Sequence, residues 1–319
     1  MFKRIVVPLD GSALAASAVP VAVALAQRTD AAIALVRVVD LSDEIRETVS
    51  AADRVRREDA RTDLAAAAVR LRDDDHVPAT IAIRQGNPVG NIIALAGDVE
   101  GDLICMATHG RSGLRRVIIG SVAERVLHDA LVPILLVRPG VTLPADTAHT
   151  AIMVPLDGSE RAELSLPYAI NLAQVFGAAL ELVRVWSVST PASVVAPYAI
   201  DEHQTLFDVM RDATEESVVA YLESVKARLT PDGTEVRITA LRGDAAEQLC
   251  GYIGTIRPMM VVMGTHGRSG LSRWALGSVA ADIVRVGIAP VLLVRPAVAS
   301  VQRDIARIQA SAGLRSSEG

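Results

Sequence analysis

Two segments of this chain nearly duplicate each other: MATHGRSGLRRVIIGS at 106–121 and MGTHGRSGLSRWALGS at 263–278. Each runs from an apolar strand-like run through a glycine-rich loop to a glycine-serine pair that opens a helix. Backbone N–H groups in such a loop, and at a helix start, form an anion site suited to phosphate. A feature of this kind occurring twice reads as two copies of one nucleotide-sized module.

Other segments repeat as well. IVVPLDGS at 5–12 matches IMVPLDGS at 152–159, and VPILLVRP at 132–139 matches APVLLVRP at 289–296. The spacing between the matches grows by ten residues from the first to the second, which places an insertion after the second strand of copy two, around Pro191 and Pro197. A chain of 319 residues accommodates two such domains, expected at 1–140 and 151–297. Residues 140–150 form the linker. Residues 298–319 form a polar tail expected to be frayed, with a short helix at 301–308 as an alternative.

Within copy one, strands are expected at 3–9, 32–39, 80–84, 102–107 and 133–137, and helices at 12–28, 51–72, 91–96 and 121–130. Copy two follows the same order. Half of all residues are apolar and only 3% are aromatic, so the cores are built from Val, Ile, Leu and Ala. Such runs suit buried parallel strands, and the alternation implies two α/β domains, each a five-stranded parallel sheet with helices on both faces. Ligands of open parallel sheets bind where the strand order reverses. The polar strand ends at Asp10 and Ala107 place strands one and four side by side, with a cleft between them.

Composition narrows the function classes. The net charge of −5 and the absence of a basic tract argue against nucleic-acid binding. No apolar run approaches a membrane span, and the N-terminus reaches Asp10 too soon for a signal peptide. Cys105 and Cys250 sit in core-like settings and read as reduced thiols of a soluble cytoplasmic protein.

Taken together, these residues resemble the universal stress protein family in its tandem form, over 1–139 and 151–296. Its ATP-binding members carry Gly-x2-Gly-x9-Gly-[Ser/Thr] after the fourth strand. Copy two matches throughout, with Gly264, Gly267, Gly277 and Ser278. Copy one has Gly110, Gly120 and Ser121, but Ala107 stands at the first glycine position. The resemblance implies a Rossmann-like fold of the adenine nucleotide alpha hydrolase type, and ATP as ligand, with or without Mg2+. It places the phosphates on the glycine positions, on Ser121 and Val122 or Ser278 and Val279, and on the loops Arg111-Ser112-Gly113 and Arg268-Ser269-Gly270. Asp10 and Asp157, with the main chain at Pro8 and Pro155, would face adenosine. Val38 and Val185 would face adenine. The resemblance also implies pairing of the two copies across their fifth strands as an internal pseudo-dimer, with further homodimerisation and a protein partner of unknown identity.

Several residues carry two readings. Ser121 with Glu124 matches a Ser-x-x-Glu capping box, so the serine could start a helix without touching phosphate. Asp10 and Asp157 precede Gly-Ser and could serve only as turn residues. His109 and His266 suit positioning of the loop better than catalysis, because no nucleophile or second base recurs beside them. Met106 and Met263 read as core residues, and Arg115, Arg116 and Arg273 as phosphate contacts or solvated charges. Ala107 is harmless if its φ is negative and strained if positive.

Three functions compete. The first is an ATP-binding stress-response regulator. The second is a slow ATPase or autophosphorylating enzyme of the same fold. The third is a nucleotide-free dimerisation module. Neither a Walker-type loop nor a Gly-x-Gly-x-x-Gly fingerprint is present. No metal-ligand cluster and no catalytic residue is assigned.

Overall fold

The first half runs β1 (Arg4–Pro8), α1 (Ala13–Ala16), α2 (Val19–Thr29), β2 (Ala32–Val39), α3 (Ala51–Asp73), β3 (Ala79–Gln85), α4 (Pro88–Asp98), β4 (Leu103–Ala107), α5 (Ser121–Asp129) and β5 (Ile134–Val137). The second half repeats the order: β6 (Ala151–Pro155), α6 (Glu160–Glu163), α7 (Leu166–Phe176), β7 (Ala179–Trp186), α8 (Glu215–Arg228), β8 (Val236–Arg242), α9 (Ala245–Ile256), β9 (Met260–Gly264), α10 (Ser278–Val286) and β10 (Val291–Val294). This computed structural model describes residues 1–39, 51–108, 119–144, 150–187, 214–229, 233–265 and 276–295. The ten-residue insertion, the tail and residues 145–149 of the linker lie outside them.

The single helix expected at 12–28 is two. Ser12 caps α1, its Oγ accepting from the Ala15 amide at 3.0 Å. Pro20 is the second residue of α2 and has no N–H to return to the Ala16 carbonyl, so the chain breaks between the two pieces. Pro167 produces the same break between α6 and α7.

All ten strands form one sheet in the order β3-β2-β1-β4-β5-β10-β9-β6-β7-β8. Each half is parallel, and its first and fourth strands are neighbours, with Ile5 beside Leu103 and Ile152 beside Met260. The order therefore reverses between β1 and β4, and again between β6 and β9. The halves join through an antiparallel pairing of β5 with β10, with Leu135 opposite Leu292.

Alternation along the strands fills two apolar layers. Ile5, Val7 and Leu35 pack with Leu25 of α2 and Leu64 of α3. Val6, Val36 and Ile104 pack with Ile92 of α4 and Val126 of α5. Cys105 is fully buried, its Sγ directed at the Ala18 carbonyl 3.7 Å away at the α1–α2 break. Among the described residues no helix is long and apolar enough to cross a membrane.

Candidate functional site

The turn after β1 is fixed by its own side chains. Asp10 Oδ1 accepts from the Ser12 amide at 2.9 Å and from Ser12 Oγ at 2.6 Å. The second half repeats the pattern, with Asp157 Oδ1 accepting from the Ser159 amide at 2.9 Å and Ser159 Oγ at 2.6 Å. The turn reading of both aspartates is therefore correct as far as Oδ1 goes, and the turn holds the carboxylate at the end of the strand. Gly11 and Gly158 take φ of +85° and +88°, which favours glycine. A Cβ on Gly11 would meet Arg37 Nη2 at 2.1 Å, so the guanidinium lies directly against the turn.

The last helix of each half begins on a glycine. The Thr108 amide donates to Val137 O at 2.9 Å and the Gly120 amide to Thr108 O at 2.7 Å, which closes the base of the glycine-rich loop. Thr265, Val294 and Gly277 do the same at 3.0 Å for both bonds. Gly120 (φ −57°, ψ 146°) and Gly277 (φ −54°, ψ 147°) are the N-caps, and a glycine has no side chain with which to cap its helix.

The capping-box reading of Ser121 is thus overturned. The N-cap residue needs extended backbone, Gly120 supplies it, and Ser121 is already the first helical residue, so the serine does not hold the cap position. Gly120 therefore leaves the amides of Ser121, Val122 and Ala123 without a cap from its own position, with the positive end of the helix dipole behind them.

These parts meet around a cavity of about 310 Å³. Pro8, Asp10, Val38, Ala107, Gly120, Ser121 and Val122, all singled out from sequence, line it. Ala107 ends β4 and is not among the residues with positive φ, so its methyl adds no backbone strain. In the second half Pro155, Asp157, Val185, Gly264, Gly277, Ser278 and Val279 hold the corresponding strand ends and helix start, as the registers of β6 with β7 and of β9 with β10 require. Gly110, Arg111, Ser112, Gly113, Gly267, Arg268, Ser269 and Gly270 lie outside the described residues. So do His109, His266, Arg115, Arg116 and Arg273.

Sequence reasoning missed the apolar floor. Val36, Pro88, Ile92 and Thr108 also line the cavity, as does Met106, which reads from sequence as core only. Val36 lies two residues before Val38, and Ile92 four after Pro88. That spacing puts each pair on one face, a signal present in the sequence.

Behind the turns the two halves use different chemistry. Arg37 pairs with Asp63 of α3 at 2.7 Å. Arg184, buried at the matching position, lies over the Tyr221 ring at 4.6 Å. Tyr221 donates to Glu163 Oε1 at 2.8 Å, and Arg228 pairs with Glu163 Oε2 at 2.8 Å. Burial, and then the Glu163 charge, push the Tyr221 phenol above its ordinary range. On the opposite face, buried Glu181 Oε1 accepts from Thr239 Oγ1 at 2.7 Å and from the Tyr252 hydroxyl at 3.0 Å. Among the described residues no group of three or more His, Cys, Asp or Glu could hold a metal ion.

The Universal stress protein family model matches this chain twice, at 1–138 and 149–295. A universal stress protein of Mycobacterium tuberculosis is 26% identical over 208 residues, a match covering 65% of this chain and 66% of that relative. The match thus spans just under two thirds of the relative's length. A universal stress protein of Methanocaldococcus jannaschii is 30% identical over 142 residues, 43% of this chain and 83% of its own. Among solved structures, a universal stress protein from Archaeoglobus fulgidus aligns with a TM-score of 0.67 at 20% identity, over 92% of this chain and 96% of that one, a likeness of fold. With the family model covering both halves of the sheet, the chain belongs to the universal stress protein family.

Proposed function

We propose that the protein binds ATP in each half and acts as a stress-response regulator, its conformation or choice of partner following nucleotide occupancy. One observation carries this reading: a helix N-terminus that starts on a glycine cap opens onto a cavity at the point where the strand order reverses, beside a carboxylate pinned in its turn. Helix amides and the dipole favour a phosphate at such a place. The apolar floor of Val36, Val38 and Ile92 suits a base or ribose. The cavity's 310 Å³ lies at the low end of the range of about 300–1,000 Å³ typical of ligand pockets, which fits the nucleoside, with the phosphates extending along the start of α5.

Magnesium, if it accompanies the nucleotide, would be held chiefly by phosphate oxygens and water, in keeping with the absence of a ligand cluster among the described residues. A cytoplasmic location and association with a second copy of the chain belong to the same proposal. The test is to denature freshly purified protein and identify what is released. About one to two adenine nucleotides per chain are expected. A protein that emerges empty and cannot be loaded with ATP overturns the reading.

A further inference from the structure

Arg138 follows β5, Arg295 follows β10, and each reaches across the seam into the other half. Arg138 Nη1 donates to the carbonyls of Arg285 at 3.1 Å and Val286 at 2.8 Å, the last two of α10. Arg295 Nη1 donates to the carbonyls of Leu127 at 3.2 Å, His128, and Ala130 at 3.3 Å, at the end of α5. The final carbonyls of a helix have no amide of that helix to accept from, and they carry the negative end of its dipole. A guanidinium answers both needs. Gly287 closes α10 with φ +59°, and a Cβ there would lie 2.3 Å from Arg138 Cδ, so the glycine leaves the room that the arginine fills.

The helices capped in this way are the two whose opposite ends open the clefts. Ser121 at the cavity and the carbonyls held by Arg295 lie six to nine residues apart along α5, about 9–13 Å. Each arginine is also adjacent in sequence to a bond at its own half's loop base. Thr265 donates to Val294, the residue before Arg295, and Thr108 donates to Val137, the residue before Arg138. The connections therefore form a crossed circuit linking the two helix starts through the antiparallel seam.

We infer that each arginine is a positioning residue for the cleft of the other half: Arg295 sets α5 and the first cleft, and Arg138 sets α10 and the second. The binding arm of the test rests on the nucleotide reading above, while the exchange arm does not. In the full chain without nucleotide, hydrogen exchange is followed in Ser121–Asp129 and Ser278–Val286. Arg295→Ala is expected to speed exchange in α5 by about tenfold and leave α10 unchanged, with Arg138→Ala giving the reverse. For binding, the second cleft is closed with Gly277→Val and ATP is titrated into the first. Arg295→Ala should then weaken binding about tenfold, Arg138→Ala should leave it unchanged, and Arg295→Lys should restore part of the loss.

Loss confined to the arginine's own half, or equal loss in both halves, overturns the proposal, because general destabilisation gives no crossed pattern. If the unmodified protein binds no ATP, the nucleotide reading falls and the exchange pattern still decides the role of the arginines.

Discussion

Where the first half has Ala34, Ala82 and Leu95, the second half, at the same places in strand and helix, has Glu181, Thr239 and Tyr252. Where the first half pairs Arg37 with Asp63, the second lays Arg184 over Tyr221. Asp102 accepts from the amides of Lys3 at 2.6 Å and Arg4 at 3.0 Å, whereas the second half has Met259 at this point. Yet the aspartate turn and the threonine-glycine loop closure are reproduced bond for bond, with distances that differ by no more than 0.3 Å, and the helix starts on a glycine cap in both halves. What the halves share is largely backbone, together with the two side chains that shape one turn. The packing around that frame has been free to change from apolar to polar.

The comparison breaks most sharply at the shared frame. Gly277→Val puts a branched side chain at the mouth of the second helix and is expected to lower ATP affinity there by more than about tenfold, read by titration with the first cleft intact. Unchanged affinity would mean that phosphate does not sit at the helix start.

The polar insertion in the second half gives a smaller effect, on stability alone. Glu181→Ala leaves the Thr239 and Tyr252 hydroxyls without their shared acceptor and opens a void, costing about 2–3 kcal/mol in denaturant unfolding. The combination Glu181→Ala, Thr239→Ala and Tyr252→Leu imports the composition of the first half and should recover most of that loss. A triple variant no more stable than the single one would show that the halves are not interchangeable at this layer.

Smallest is the pH dependence from Asp102. Burial pushes its carboxyl above the ordinary range, against the pull of the two amides it accepts from. A carboxyl raised in the folded state holds its proton more tightly there than when unfolded. Wild type therefore loses stability as pH climbs from the ordinary aspartate range through the raised value, and the change is complete above it. Asp102→Asn removes that slope, so the stability of wild type relative to the variant should fall with rising pH. A difference that rises over this range would reverse the assignment.

Much of this architecture is legible in the sequence because it is written twice. The repeated PLDGS and glycine-serine segments locate both the strands and the cleft, since strand ends and helix starts need particular residues. The break at Pro20 was also there to be read, but the alanine-rich run around it has strong helical character and hides it. The Ser-x-x-Glu pattern at 121–124 misleads because the preceding glycine takes the cap position first. The floor formed by Val36 and Ile92 was not legible as a floor: an aliphatic residue facing a packed core and one facing a cavity have the same pattern. Arg138 and Arg295 are the second-last residues of repeated motifs, but their partners lie 147 to 168 residues away in sequence and appear only once β5 and β10 run antiparallel.

The buried sulfur beneath the α1–α2 break has a consequence for how the protein would meet an oxidant or alkylating reagent. Burial pushes the Cys105 thiol up to about 12, so at neutral pH almost none of it is thiolate, the form that peroxide and alkylating reagents attack. While the first half stays folded, this cysteine is chemically silent. Its modification would keep time on rare opening events, recording each moment the paired helices lift away from β4, with the less deeply buried Cys250 of the second half as the faster clock.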